Sequence, residues 1–197
     1  MKKIILFFII FFSTAVNADE EIITLATVNN ISITNIDLRD EITILKIITD
    51  LKEVEESMLQ QSAFQNLVNQ AIKEIELTIN KIEIDEKTEK QRLAIIKKKL
   101  ENNGIKSTRI YSKIKKKIQT DHAWKLLISR KYSWKLNINI NEVNQKLKTL
   151  GYIDLNNPDT IKAKNNFINQ EKNKKFNFYS RNHLDLAKKK ILIKIIK

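Results

Sequence analysis

The chain has 197 residues, only two glycines and one proline, no cysteine, and a formal net charge of +13. So little turn punctuation points to few, long elements, mainly helices, and the absence of thiols excludes disulfides and cysteine chemistry. Lysine supplies 31 of the 36 basic residues and arginine five, so the charge lacks the guanidinium forks suited to phosphates and base edges. It reads as a solvated surface with weak attraction for acidic partners or anionic lipid.

Met1-Lys2-Lys3, the apolar run Ile4 to Phe12 and Ser13 to Ala18 have the three parts of a secretory signal peptide, with Val16 and Ala18 at the cleavage positions. Residues 1–18 are therefore expected to be removed, leaving Asp19 first, with an uncleaved anchor as the competing reading. The apolar run is short for a bilayer span, and no later run approaches that length. Ile22 to Thr34 is the one convincing β segment of the first half. Ile23, Leu25 and Thr27 share one face, Thr24, Ala26 and Val28 the other, and Asn29-Asn30 tolerates a tight turn before Ile31-Ser32-Ile33. A hairpin this short needs another strand or a packed helix.

Helical signals follow. Thr34 or Asn35 caps a helix over about 35–52 with acids in its first turns, and 52–60 reads as a loop or a frayed turn. Ser62 caps a second helix, in which Phe64, Leu67, Val68, Ala71, Ile72, Ile75, Ile79 and Ile82 form the cleanest apolar stripe. Ile84-Asp85-Glu86 opens a third helix through Leu93, Ile96 and Leu100. Asn102-Asn103-Gly104 ends it with a glycine cap, Ile105 making the accompanying apolar contact.

Ser107 or Thr108 starts a fourth helix along Ile110, Ile114 and Ile118, running to about Trp134. Its cluster Lys113, Lys115, Lys116, Lys117 reads as a solvated side rather than a binding face. Asn137 to Asn141 alternates and looks extended, and Asn141-Glu142 opens a short helix. Gly151 to Pro158 is the best interior break. From Asp159 or Thr160 a long polar helix leads to Lys188-Lys189-Lys190, and Ile191 to Ile196 has the β-branched chemistry of a strand. That run matches the hairpin and is its expected partner, giving a mainly α protein with a small sheet that joins the two ends of the mature chain.

The order of these features resembles the N-terminal chaperone domain of SurA-type periplasmic folding factors. The resemblance rests on Val28-Asn29-Asn30, Ile33 to Leu38, Leu67-Val68-Asn69-Gln70-Ala71-Ile72, Ile84-Asp85-Glu86, Leu100 to Ile105, and a basic helix leading to Ile138 and Glu142-Val143. It spans roughly residues 20–150 as many weak matches, and Tyr179 to Ile196 is similar to the family's returning C-terminal segment. It implies a signal peptide (1–18), a helical chaperone domain (19–150), a linker (151–159) and a returning helix and strand (160–197) that complete the same domain. SurA-like proteins usually insert parvulin-type prolyl isomerase modules at the linker. Here only Leu150 to Asp159 fill that place, so the resemblance implies a chaperone core without the enzyme.

Catalytic chemistry is poorly represented. His122 and His183 sit in different helices without a partnering motif and read as surface or interface residues. Asp37 with Asp40 and Asp85 with Glu86 are helix-start acids rather than a calcium loop, and two isolated glycines make no phosphate loop. No enzyme activity, cofactor or metal is expected. Trp124, Tyr132 and Trp134 are the candidate peptide-binding residues, as the rim of a groove for unfolded polypeptide, with core packing as the competing reading. The reading implied is a periplasmic, ATP-independent chaperone for exported, unfolded clients such as outer-membrane proteins. Alternatives are a non-catalytic subunit holding one folded partner, or an exported basic protein on nucleic acid or anionic surfaces.

Overall fold

Thr34 ends the hairpin and opens the first helix. Its hydroxyl accepts from the Asp37 N–H at 3.2 Å, and its own N–H donates to Asp37 Oδ2 at 2.9 Å, a reciprocal cap that satisfies two otherwise orphaned groups. The computed structural model describes residues 21–49, 55–83, 90–152, 154 and 157–196. The expected signal peptide (1–18), the Ile84-Asp85-Glu86 helix start, and Ile153, Leu155 and Asn156 of the expected linker lie outside the described residues.

The elements are β1 (Thr24–Val28), β2 (Ile31–Thr34), α1 (Asn35–Thr49), α2 (Glu56–Ile79), α3 (Lys90–Asn102), α4 (Thr108–Lys131), a 3-10 turn (Ser133–Lys135), α5 (Ile140–Thr149), α6 (Pro158–Lys188) and β3 (Ile193–Ile195). The protein is mainly helical with one small antiparallel sheet in the order β2-β1-β3. The C-terminal strand pairs with the N-terminal hairpin, as its chemistry predicts: Ala26 faces Ile195, Thr27 faces Lys194 and Val28 faces Ile193. Asn29, with φ +51°, turns the hairpin and also fastens the far strand. Its N–H donates to Leu192 O at 2.8 Å, and its Oδ1 accepts from Leu192 N–H at 3.0 Å.

The inner face of β1 is the Ala26 and Val28 face, both fully buried. It packs with Ile33 on Val68, Ala71 and Ile72 of α2 and on Ala187 and Ile191 at the end of α6. A second cluster joins Ile44 and Ile47 of α1 to Leu100 of α3 and to Ile110, Ile114 and Ile118 of α4. A third joins Leu77 of α2 to Trp124, Leu127 and Ile128 of α4, with Phe176 and Tyr179 of α6 against them. Helix α5 packs on α6. Among the described residues, no helix is long and apolar enough to cross a membrane.

The glycine stop at the end of α3 is as expected. Gly104 has φ +70°, its N–H donates to Glu101 O, and Ile105 N–H donates to Leu100 O at 2.9 Å while Ile105 packs on the cluster that holds Leu100. Ser107 caps α4 by accepting from Ile110 N–H.

Some boundaries differ from expectation. Helix α2 begins at Glu56, so Ser62 is interior and Glu56 to Gln60 is helical rather than loop. Buried Leu59 and Ala63 extend the apolar stripe backwards beneath the charged residues that masked it. Helix α4 stops at Lys131, where Tyr132 leaves the helix to stack on α6. Asn137 to Asn141 is not a strand: Asn139 accepts from Asn141 N–H and caps α5, so the alternation marks the approach to a helix. Helix α6 starts at Pro158 behind an Asn157 cap, because the fixed φ of proline suits a first helical position.

The lysines of α4 are the larger correction, since three of the four expected in solvent form ion pairs to neighbouring helices. Lys113 Nζ lies 2.8 Å from Asp37 Oδ1 and 2.7 Å from Asp40 Oδ2, and Lys116 Nζ lies 2.8 Å from Glu74 Oε2. Lys117 pairs with Glu41, and Arg109 reaches Asp40 at 2.8 Å. Asp40 and Glu41 are only 2% and 5% exposed, so these cations neutralise acids that burial would otherwise penalise heavily. Burial pushes the Asp37 carboxyl up, but the hydrogen bonds from Lys113 and Thr34 outweigh it and hold the group below the usual range.

Candidate functional site

The three aromatic residues singled out in the sequence take three different environments. Trp124 is 3% exposed; its indole N–H donates to Ser180 Oγ at 2.9 Å and its ring lies 5.4 Å from the His183 ring. It is a core residue that joins α4 to α6, with no face left for a ligand. Tyr132, half-buried at the end of α4, stacks on Tyr179 of α6 with ring centroids 5.1 Å apart. Trp134, on the 3-10 turn, is 70% exposed.

Lys135 connects the last two. Its ammonium stands 4.7 Å from the Trp134 ring centroid, 5.4 Å from that of Tyr179 and 6.0 Å from that of Tyr132. Each such contact contributes about 0.5–1 kcal/mol at an exposed position. Phe178, also exposed, meets Tyr179 edge-on at 5.2 Å. The result is an aromatic ledge, made of the turn after α4 and the middle of α6, that presents Trp134 and Phe178 to solvent.

Beneath the ledge, a buried chain of polar groups ties three helices together. His183 of α6 lies 3.1 Å through Nε2 from Glu76 Oε2 of α2 and 3.1 Å through Nδ1 from the hydroxyl of Tyr132, the cap residue just past α4. A neutral ring protonated on Nε2 satisfies both contacts, donating to the carboxylate and accepting from the phenol. Burial lowers the His183 pKa and Lys131 lowers it further, against the opposing pull of Glu76. Burial and the Glu76 charge together raise that of Tyr132. His183 is 5% exposed, so of its two expected placements it takes an interface between elements rather than the surface. The chain Tyr-His-Glu therefore supports the ledge from behind, holding Tyr132 where it stacks on Tyr179.

The residues that follow the 3-10 turn line an open cleft of about 680 Å³, with Leu136, Asn137, Ile138 and Ile140 on one side and Asn165, Ile168, Asn169 and Lys172 of α6 on the other. Lys175 Nζ donates to Asn137 O at 2.6 Å and holds the loop against α6. The lining combines aliphatic side chains with amides that can both donate and accept.

No family model matches this chain, and no curated protein matches it.

A second cleft, of about 220 Å³, lies between β2, α1, α2 and α4. Lys113, Lys116 and Lys117 in its wall are already paired with Asp37, Glu74 and Glu41, so the charges of these groups are balanced. Among the described residues, no group of three or more His, Cys, Asp or Glu side chains is placed to hold a metal ion.

Most of the site escaped sequence reasoning. Glu76, Tyr132 and His183 are distant in the chain, with no local spacing to connect them. Phe176, Phe178 and Tyr179 fall in a helix that reads as polar, and their density within four residues was the available signal.

Proposed function

We propose that the chain is an exported, ATP-independent holding chaperone of the SurA type, without an isomerase module, that binds extended segments of unfolded polypeptide in the periplasm. The observation that carries this reading is the exposure of Trp134 and Phe178 on the ledge, with an open cleft of mixed aliphatic and amide lining that begins at Leu136, the residue after Lys135. Exposed aromatics provide large apolar contact that tolerates many sequences, while Asn137, Asn165 and Asn169 can meet the main-chain groups of an extended client. The cleft has the volume of an ordinary ligand site but is open along its length, which suits a chain passing through. Two further features support the reading: the signal-peptide pattern of residues 1–18, and the return of β3 to the N-terminal hairpin that the resemblance implies. Release is simple dissociation.

The test is suppression of aggregation of an unfolded outer-membrane β-barrel protein, together with anisotropy of a labelled aromatic-rich peptide. Wild-type protein is expected to do both, with peptide affinity largely retained in high salt, and Trp134→Ala to weaken binding by roughly 30-fold, the size of an aromatic hot spot. Absence of both activities would remove the proposal. Affinity falling steeply with salt would point instead to phosphate or anionic-surface binding, and capture of one stoichiometric folded partner to an assembly subunit.

A further inference from the structure

Strand β3 lies at the edge of the sheet, and its pairing leaves one side of its backbone open. Leu192 O accepts from Asn29 N–H and Ile196 N–H donates to Leu25 O, so the even-numbered residues of the strand turn their main-chain groups towards β1. The alternation of an antiparallel ladder then directs the N–H and C=O of Ile193 and Ile195 outward. Among the described residues no strand lies beyond them. Ile195 is 69% exposed although it stands opposite buried Ala26, and Leu192 and Ile196 are exposed on either side.

Charge limits what can pair there. From Leu186 to Lys197 the chain carries five lysines and no acid. A second copy of the chain is a poor partner: the antiparallel pairing that uses both outward residues sets Ile193 against Ile195 of the second copy, and so Lys194 directly against its counterpart. Like charges so placed destabilise a strand pair, whereas an acid opposite Lys194 stabilises it. We infer that the free edge of β3 accepts, as a fourth strand, an extended polypeptide segment with an acidic residue between two β-branched apolar ones, the acid opposite Lys194. This surface is separate from the aromatic ledge and recognises main chain first.

The probe is a labelled eight-residue peptide without aromatic residues, centred on Val-Glu-Val, titrated into the purified protein by anisotropy. It is expected to bind roughly fivefold more tightly than the same peptide with Val-Lys-Val at its centre, and Lys194→Glu to reverse that preference. Ile195→Pro removes only an outward-facing donor, sparing the bonds to β1, and is expected to abolish binding. N-methylation of alternate peptide amides is expected to do the same with the wild-type protein, a result that holds even if the proline variant is unstable. Trp134→Ala is expected to leave this probe unaffected, so loss of ledge binding and loss of edge binding are read separately. Equal binding of the two charge variants, or undiminished binding of the N-methylated peptide, would overturn the inference. So would a dimer in sedimentation that Ile195→Pro dissolves, which would give the edge to a second copy.

Discussion

At the sheet, Ala26 and Val28 have no exposed surface and lie between α2 and the end of α6. At the other end of α6, α5 is held by Val143 and Leu147, which belong to none of the three core clusters. Helix α6 joins these two regions: its 31 residues extend roughly 46 Å, with Phe176, Tyr179, Leu184 and Ala187 packed on the body and α5 also packed against it. The difference shows how one long polar helix can serve both rigidity and binding. Its C-terminal half is fixed by packing and by the Glu76-His183-Tyr132 chain, and its N-terminal half forms a wall of the open cleft.

The sharpest way to break the comparison is to remove residues 191–197. The body then loses buried Ile191, half-buried Ile193 and the β1–β3 pairing, and burial alone predicts a loss of about 3–4 kcal/mol in a denaturant midpoint experiment. Leu147→Ala acts on the opposite region. Its cost of about 2–3 kcal/mol is expected to appear as faster amide hydrogen exchange in α5 and the first turns of α6, with protection in β1 and α2 unchanged. Equal loosening of both regions would mean that they unfold as one unit.

The polar junction between the two regions makes stability depend on pH. His183 is buried with its folded pKa below the ordinary 6.5, so the unfolded chain takes up a proton first as the pH falls. Stability is therefore complete above about 6.5 and declines as the pH drops through the lowered folded value. Thermal midpoints measured across that window should show the slope, and His183→Gln, which keeps a donor towards Glu76, should flatten it. The smallest stability effect is expected for Trp134→Ala, within about 0.5 kcal/mol, because the side chain is largely in water already. Its consequence belongs in peptide binding, and a large loss of stability would show that the ledge is structural.

What could be read from the residues follows from how local the physics is. The hairpin, the Gly104 stop, the Ser107 cap and the final strand each depend on a few adjacent residues, and the two β-branched runs matched each other across the whole chain. The α4 lysines look alike in sequence whether they meet water or Asp40 and Glu41, because only the packing angle of α1 on α4 decides it. For the same reason Trp124 and Trp134 both stood as candidates: ten positions apart, they differ in that one lies on the inner stripe of α4 and the other follows its end. His183 carried no signal because its partners come from two other helices.

The pairing of Asn29 with Leu192 joins positions 163 residues apart. Contacts of such separation carry the loop-closure entropy of nearly everything between them and form late. Until β3 arrives, β1 has its inner face already chosen but one ladder of main-chain groups still open, beside a hairpin that closes in microseconds. A folding intermediate of this protein would therefore itself carry an unpaired strand edge, the same hazard from which a holding chaperone is proposed to protect other chains.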